Sequence, residues 1–472
     1  MKKKMVIGLT TAMFVTSVAL AGDADSHQDT SVQAQLEAMR VQLETQQATI
    51  EAQHAALRRQ DQKIAELSNQ ADEHWLSGRR AEEVKSLIRD VLQDADTRAS
   101  LLDNGVNAGY DGGFYISSND GGFLLKAKGL LQIRHIVNSR ENSGSDDLES
   151  GFQITRANLF LSGHIADPKL KYLIALAQNR NTGGYVAESA RIDYDLTDGL
   201  TIKFGRFRGF AFTREERTSY TKQLGVERSY VNEVFTVDYV EGVELWARPS
   251  DVVHLRGAIH DGAGSGSAAA RDFQNDTTDI ALTGRVDIKL AGDWKQAEDF
   301  TSWSGEPLAA FFGAAIHREE GETGTNTGAN NDFTSWTLDG SIEGNGANLF
   351  VAVVGRHSDN ETGPSVDQLG LLIQGGIMVI PDKLEPFVQF QYIDFDGFTN
   401  TAATTAITGD DTVSIIGFGA NYYMAKHNAK LTVDVLVALD PIPMTLSHTG
   451  LLMDGTNQEN QVVARTQFQL MF

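Results

Sequence analysis

The 472-residue chain has no cysteine, and beyond its first 21 residues it has no apolar run of the ~20 residues that a membrane-spanning helix requires. The first absence excludes disulfides and thiolate metal sites. The second leaves a closed β-barrel as the remaining way for the rest of the chain to cross a bilayer, because backbone amides cannot stay unpaired in hydrocarbon.

Basic residues are scarce as well. Forty Lys and Arg face 63 Asp and Glu, for a net charge of −23, so nucleic acid is not expected as a partner. The histidines show no metal-binding spacing such as H-E-x-x-H, and no serine is paired with a histidine and a carboxylate in a recognisable arrangement. The glycine-rich stretch 262–267 lacks the lysine and helix of a phosphate-binding loop. We therefore predict no catalytic residue, no metal site and no cofactor.

Residues 1–21 have the pattern of a secretory signal peptide. Lys2, Lys3 and Lys4 precede a moderately apolar stretch, and the small residues Ala19 and Ala21 fit a cleavage site. An uncleaved membrane anchor is the weaker alternative, because the stretch is short for a bilayer and is interrupted by threonine and serine. We expect the mature chain to be exported.

Residues 22–75 carry a heptad pattern that predicts a periplasmic coiled coil. The first seam position of five successive heptads is apolar, and the second seam position holds three glutamines, Gln46, Gln53 and Gln60. The apolar positions are Leu36, Leu43, Ile50, Leu57 and Ile64. Polar layers weaken a dimer, so we predict a parallel trimer. Residues 76–110 are predicted to be a helical linker, since apolar residues keep helical spacing there until Asn104-Gly105.

From Phe123 onward the apolar period changes to two. Sixteen alternating segments follow, an even number, as a barrel with both chain ends on one side requires. They are 123–137, 151–165, 169–179, 187–196, 200–208, 236–248, 251–260, 278–291, 308–318, 332–344, 347–358, 366–379, 384–395, 412–424, 429–440 and 460–472. We predict an all-β transmembrane barrel of 16 antiparallel strands over residues 111–472, preceded by the N-terminal α-helical coiled coil.

Two further patterns favour the barrel over a soluble β-sandwich, whose edge strands show the same alternation. Short turns alternate with long polar loops along the chain, except that the turn at 292–307 is unusually long. The last segment puts Phe468, Leu470 and Phe472 on one face and Gln467 and Gln469 on the other, and it ends in an aromatic residue, as the closing strand of a bacterial outer-membrane barrel does.

Strand parity sorts the side chains into a lipid-facing apolar set and an inward polar set. Ten inward Lys and Arg face three inward Asp, Asp193, Asp195 and Asp287, over the first eight strands. The predicted pore-lining residues are Lys126, Lys128, Arg134, Arg156, Lys171, Arg191, Lys203, Arg256, Arg285 and Lys289. A basic wall favours anions. The alternative is that acidic loop residues fold inward and cancel the wall charge. Near Gly205 the parity is ambiguous, because Phe204, Arg206 and Arg208 share a face.

Several stretches resemble the phosphate-selective porin O and P family. They are DGGFYI at 111–116, GFLLK at 122–126, RANLFLSG at 156–163, KFGRF at 203–207 and REE at 214–216. The resemblance implies a 16-stranded, trimeric outer-membrane channel for phosphate or other anions. Porins of this size place a pore-narrowing loop after the fifth strand, which here is Gly209–Phe235. Its candidate constriction residues are Arg214, Glu215, Glu216, Arg217, Lys222 and Arg228.

The expected function is passive diffusion of small hydrophilic solutes, with a preference for anions, through a homotrimer embedded in outer-membrane lipid. A second hypothesis is structural: the barrel is an anchor, and the coiled coil ties the envelope to peptidoglycan or to a periplasmic partner. An outer-membrane lipase or protease is the third, and the lack of a catalytic constellation argues against it.

Overall fold

The computed structural model divides the chain into two compact units, Met1–Gln93 and Asp94–Phe472. In the first unit it describes residues 37, 40, 47, 51, 54–60, 62 and 63. In the second it describes residues 106–140, 148–180, 182–209, 213–236, 238–262, 278–321, 331–360, 364–398, 407, 411–446, 448–454 and 461–472.

The described residues of the first unit are all helical and exposed. Among the seam residues of the predicted coiled coil they include Leu57 and Gln60, and the Leu57 side chain is exposed in the single chain. The remaining seam residues and the predicted signal peptide lie outside the described residues, so the coiled coil stays a prediction. No helix in the described part of the chain has both the length and the apolar character to cross a membrane.

The second unit is built from eighteen β-strands. They are β1 Val106–Tyr110, β2 Phe114–Ser118, β3 Phe123–Ser139, β4 Leu148–Ile165, β5 Asp167–Gln178, β6 Tyr185–Thr197, β7 Leu200–Arg208, β8 Tyr239–Ala247, β9 Val253–His260, β10 Thr278–Ala291, β11 Ala309–Gly321, β12 Asn331–Gly344, β13 Ala347–Asn360, β14 Val366–Ile377, β15 Leu384–Asp394, β16 Thr412–Ala425, β17 Ala429–Ala438 and β18 Val462–Met471.

Strands β3 to β18 form a closed antiparallel barrel of 16 strands. Each strand pairs with the next along the chain, and β18 returns to pair with β3, from Val462 opposite Ser139 to Met471 opposite Leu130. The predicted barrel is confirmed, and no strand end differs from its predicted position by more than three residues. Closure removes the free edges that a lipid-embedded sheet could not satisfy.

The hairpin of β1 and β2 corrects the predicted boundary of the helical linker at residue 110. Val106–Tyr110 is a strand, and β2 pairs with β3 immediately beyond the end of β18, with Phe114 opposite Ala127. Gly129 N donates to Phe472 O at 2.6 Å at the junction. Strand β3 extends beyond the end of β18 here. The backbone N–H and C=O groups of this extension need another partner, and the hairpin supplies one.

The faces of the strands follow the predicted parity. In β18, Phe468 is 41% exposed on the outside of the barrel, whereas Gln467 is 2% exposed and points inward. Turns of a few residues join the strands at one end, called here the turn end, and long connections join them at the other, the loop end. The long exception at the turn end, residues 292–308, contains a 3-10 turn at Gln296–Glu298.

Candidate functional site: the barrel lumen

The connection between β7 and β8 folds into the barrel. Its described part, residues 213–236, is called here the lumen loop, and it contains helices α1, Arg214–Arg217, and α2, Tyr230–Phe235. Both begin at a capping hydroxyl, of Thr213 for α1 and of Ser229 for α2, which accepts from an amide of the first turn.

Polar side chains of the far wall hold the lumen loop in place. Lys430 Nζ donates to the Gln223 carbonyl at 2.9 Å, Asn421 Nδ2 to the Leu224 carbonyl at 3.0 Å, and Arg356 Nη2 to the Phe235 carbonyl at 2.9 Å. Gln391 Oε1 accepts from the Tyr230 amide at 2.6 Å. Because these side chains belong to β13, β15, β16 and β17, the loop crosses the lumen and covers the inner wall on that side.

An apolar core also forms inside the barrel at the loop end. It joins residues of the lumen loop to inward residues of the wall, which parity alone predicts to be polar. Its buried members include Phe207, Tyr230, Val231, Phe235, Val354, Ile393, Val413, Ile415, Leu436 and Val463. Burial of this apolar area stabilises the inserted position of the loop.

The long connection at the turn end, residues 292–308, folds inward as well and meets the lumen loop. This turn-end segment buries Phe300 against Leu224 and Phe350, and the Phe300 amide donates to the Lys222 carbonyl at 3.4 Å. Arg214 Nη2 donates to the Gln296 carbonyl at 2.8 Å. The unusual length of this turn is explained by this contact, because a turn of two or three residues could not reach the middle of the barrel.

The two insertions fill the lumen beside β11–β18 and leave the space beside β3–β10 more open. At the two edges of the more open wall, in β3 and β10, the side chains of Arg134 and Arg285 are 0% exposed. On the open wall Arg191 is 27% and Lys171 is 49% exposed. The more exposed basic side chains of this wall therefore lie in β5 and β6.

The structure places the ten predicted pore-lining residues on the inner wall, and nine of them contact a carboxylate. Lys128 makes no ion pair with any residue in the described ranges. The nine pairs are Lys126 with Asp111 at 3.1 Å, Arg134 and Arg156 with Glu227 at 3.1 and 2.8 Å, Lys171 with Asp195 at 2.5 Å, Arg191 with Asp193 at 3.2 Å, Lys203 and Arg256 with Glu244 at 3.0 and 3.6 Å, Arg285 with Asp339 at 2.8 Å and Lys289 with Asp251 at 2.7 Å.

This pairing corrects the expectation of a wall rich in free cations. Four of the seven partner carboxylates lie on strands, namely Asp193, Asp195, Glu244 and Asp339, and the sequence count omitted the last two. Asp111 and Asp251 lie in turns, and Glu227 belongs to the lumen loop. Arg134 and Arg285 are also too deeply buried to meet a solute. They hold loop and wall together instead.

The six candidate constriction residues divide into two groups. Arg214, Glu215 and Glu216 are buried and fix the loop, so their predicted contact with solutes is wrong. Glu215, for example, accepts from the Ser229 amide and hydroxyl at 2.7 Å, and burial raises its pKa to about 7. Arg217 and Lys222 are partly exposed and pair with Asp287 at 2.6 Å and with Glu298 at 3.3 Å. Arg228 is 3% exposed and donates to the Thr218 carbonyl at 2.7 Å, and it also lines the cavity described below.

Glu227 of the lumen loop was not among the predicted site residues. It accepts from Arg134 Nη2 at 3.1 Å and from Arg156 Nη2 at 2.8 Å, and so ties the loop to β3 and β4. Burial alone would raise the pKa of Glu227, but the two guanidinium groups outweigh it and hold the pKa well below its usual range. The even balance of charges in the loop gave no signal that this glutamate differs from its neighbours.

A polar cavity of about 380 Å³ lies between the lumen loop and the wall of β4–β8. Five arginines line it against three carboxylates, those of Glu188, Glu233 and Asp238. The arginines are Arg156, Arg180, Arg206, Arg208 and Arg228. We call it the arginine cavity. Arg206 and Arg208 come from the stretch of ambiguous parity, where Gly205 has φ +109 and lets the strand depart from regular alternation.

The closed 16-stranded barrel, apolar outside and charged within, and narrowed by internal segments, defines the chain as an outer-membrane channel protein. A family model described as phosphate-selective porin O and P matches residues 135–298, which confirms the family resemblance found in the sequence.

Several solved structures are similar to this chain at low sequence identity. An anion-selective porin from Comamonas acidovorans has a TM-score of 0.51 at 15% identity, covering 74% of this chain and 99% of that one. OmpT of Vibrio cholerae has a TM-score of 0.49 at 12% identity, covering 77% and 99%. The channel DcaP of Acinetobacter baumannii has a TM-score of 0.49 at 11% identity, covering 75% and 99%. No curated protein matches the chain.

Proposed function

We propose that this channel passes small hydrophilic solutes by passive diffusion and prefers anions. The arginine cavity is the observation that carries this proposal. Three of its five arginines, Arg156, Arg206 and Arg208, pair with Glu227, Glu241 and Glu216. The other two, Arg180 and Arg228, make no ion pair with a residue in the described part of the chain. Fixed cations beside a narrow path lower the free energy of a passing anion.

The acidic residues of the cavity weaken this field less than their number implies. Asp238 pairs with Arg208 at 3.0 Å. Burial, followed by the nearby charge of Glu227, raises the pKa of Glu233 to about 8, so that this carboxyl is largely protonated at neutral pH. The net charge of the chain, −23, acts in the opposite direction at the mouths of the pore.

Reversal potentials in planar bilayers under a potassium chloride gradient test the proposal. We expect the sign of an anion-preferring pore, and a smaller anion preference for Arg180→Gln, which removes one of these two cations. Arg140→Gln is the matched control, because Arg140 already pairs with Glu149 at 2.8 Å away from the cavity. Cation preference of the unmodified protein would overturn the anion preference, and absence of any conductance would overturn the channel itself.

The same proposal includes a homotrimer. The heptad pattern with three glutamine layers supports it, as does the exposed Leu57 on the described helix, an apolar side chain that a parallel partner would cover. Cross-linking in mild detergent is expected to give a trimer band, and monomers alone would contradict it.

A structural role for the N-terminal unit is the second candidate. Five heptads on the periplasmic side of a barrel suit a tether to peptidoglycan or to a periplasmic protein, and a channel does not need them for conduction. The two roles are compatible in one molecule.

A further inference from the structure

The wall of the arginine cavity contains buried polar atoms that lack a partner. Asn158 is 5% exposed and lines the cavity. Its Nδ2 donates to the Tyr220 hydroxyl at 2.9 Å, and that hydroxyl donates to Glu188 Oε2 at 3.4 Å. Because the Tyr220 proton is directed to Glu188, Asn158 must present its amino group to Tyr220. Its carbonyl oxygen is left without a hydrogen bond among the described residues.

Four more buried atoms of residues that line the cavity have no hydrogen-bond partner among the described residues. Two belong to groups that accept, Thr155 Oγ1 and Gln178 Oε1, and Thr155 is 4% exposed. Two are donors on cations, Arg180 Nη1 and Arg206 Nε. Leaving such groups unpaired in a buried position is unfavourable, so a wall of this kind is suited to an occupant, whether solvent or solute.

The two sets of atoms call for opposite chemistry in the occupant. The guanidinium donors fit a carboxylate or another oxyanion. The amide oxygens of Asn158 and Gln178 only accept, so they need a hydrogen-bond donor, which a hydroxyl of a solute supplies. An inorganic oxyanion carries mostly acceptors, and a neutral sugar carries hydroxyls but no charge.

We infer that the arginine cavity is a binding station for a small polyhydroxylated carboxylate, a sugar acid. This rests on the proposed channel function and narrows its solute class. Its carboxylate lies toward Arg180 and Arg206, and its hydroxyls donate to Asn158 and Gln178. The cavity volume of about 380 Å³ is in the range of small-molecule sites. Of the carboxylates that line the cavity, Glu188 accepts from the Tyr220 hydroxyl and Asp238 pairs with Arg208.

Solute-dependent block of the current through the full-length protein in planar bilayers tests this inference. Glucuronate is compared with acetate, which has the charge alone, with glucose, which has the hydroxyls alone, and with phosphate. We expect saturable block by glucuronate, with a half-saturating concentration at least tenfold below those of the other three. Equal block by phosphate or acetate, or no saturation with glucuronate, overturns the inference while the current itself still supports a channel.

Paired variants separate the two halves of the site. Thr155→Val with Gln178→Met removes hydroxyl-binding atoms and is expected to raise the half-saturating concentration of glucuronate about tenfold, with acetate unchanged. Arg180→Gln is expected to raise it for glucuronate and acetate alike. Thr334→Val, on the outer side of β12 beside Arg318, is the matched control and should change neither. If the Thr155 and Gln178 variant binds glucuronate as well as the unmodified protein does, the site assignment is wrong.

Discussion

At the scale of single residues, Glu227 is the contact on which the position of the lumen loop depends most directly. Its carboxylate is buried and joins the guanidinium groups of Arg134 and Arg156. Removing one partner of a buried ion pair leaves the others charged and unpaired, at a cost on the order of 3–5 kcal/mol. We expect Glu227→Gln to lower the heat-unfolding midpoint of the detergent-solubilised barrel.

The matched control for that variant is Glu149→Gln. Glu149 pairs with Arg140 at 2.8 Å but is 53% exposed, and exposed pairs contribute about 0–1 kcal/mol. The control should leave the midpoint nearly unchanged. Equal midpoints for both variants and the unmodified protein would show that Glu227 does not hold the loop.

We expect the ion selectivity to depend on pH through Glu233. Its pKa is raised from 4.5 to about 8 by burial and by the charge of Glu227, so the folded protein binds this proton more tightly than the unfolded chain does. The resulting stabilisation is complete below about pH 4.5 and is lost as the pH rises through about 8. Between pH 9 and pH 6.5 the carboxylate in the cavity becomes neutral, so we expect the anion-to-cation permeability ratio from reversal potentials to rise.

A control variant isolates this group from Glu215, which has a pKa of about 7 but lies buried against Ser229. In Glu233→Gln the selectivity should already be that of the protonated state at pH 9, and its change with pH should be much smaller. An unaltered pH profile in this variant would assign the effect to another group.

At the scale of elements, the sequence predicted the strands well and the insertions poorly. Apolar and polar residues alternate along each strand because one face meets lipid and the other meets water or protein. The neighbours Phe468, which is exposed on the outside, and Gln467, which is buried inside, show this alternation. The partners inside the barrel are set by contacts between distant parts of the chain, such as Phe300 with Leu224. Strand parity holds no information on those contacts. The charge of the wall was overestimated for the same reason.

The turn-end segment gives the prediction at this scale. Phe300 is 1% exposed and packs on Phe350 and Leu224, and truncating a buried phenylalanine costs about 3–5 kcal/mol. We expect Phe300→Ala to detach this segment from the lumen loop and to raise single-channel conductance, because the filled side of the lumen opens. Phe418→Ala, on the outer face, is the matched control and should conduct normally. Unchanged conductance with Phe300→Ala would mean that the segment does not narrow the path.

At the scale of the whole molecule, the chain combines a closed barrel with a separate N-terminal unit, and the two serve different proposed roles. The closing pair of β3 and β18 is completed within the second unit by the hairpin of β1 and β2, which covers the backbone of β3 beyond Phe472. The strand pairings that close the barrel in the described part of the chain therefore involve residues from Val106 onward, which lie after the heptads in the sequence.

Deletion of residues 28–70 should accordingly leave the single-channel conductance and the detergent-resistant fold of the barrel unchanged, because no strand or lumen contact in the described ranges involves them. If the heptads drive assembly, cross-linking of the shortened protein should yield less trimer. If the heptads tether the envelope, cells that carry the shortened protein should shed more outer membrane. A deletion of residues 106–118 is the informative contrast, since it removes the partner of β3 and should lower the heat-unfolding midpoint. Loss of conductance on removal of 28–70 alone would contradict the separation of roles, because it would mean that the helical unit shapes the pore.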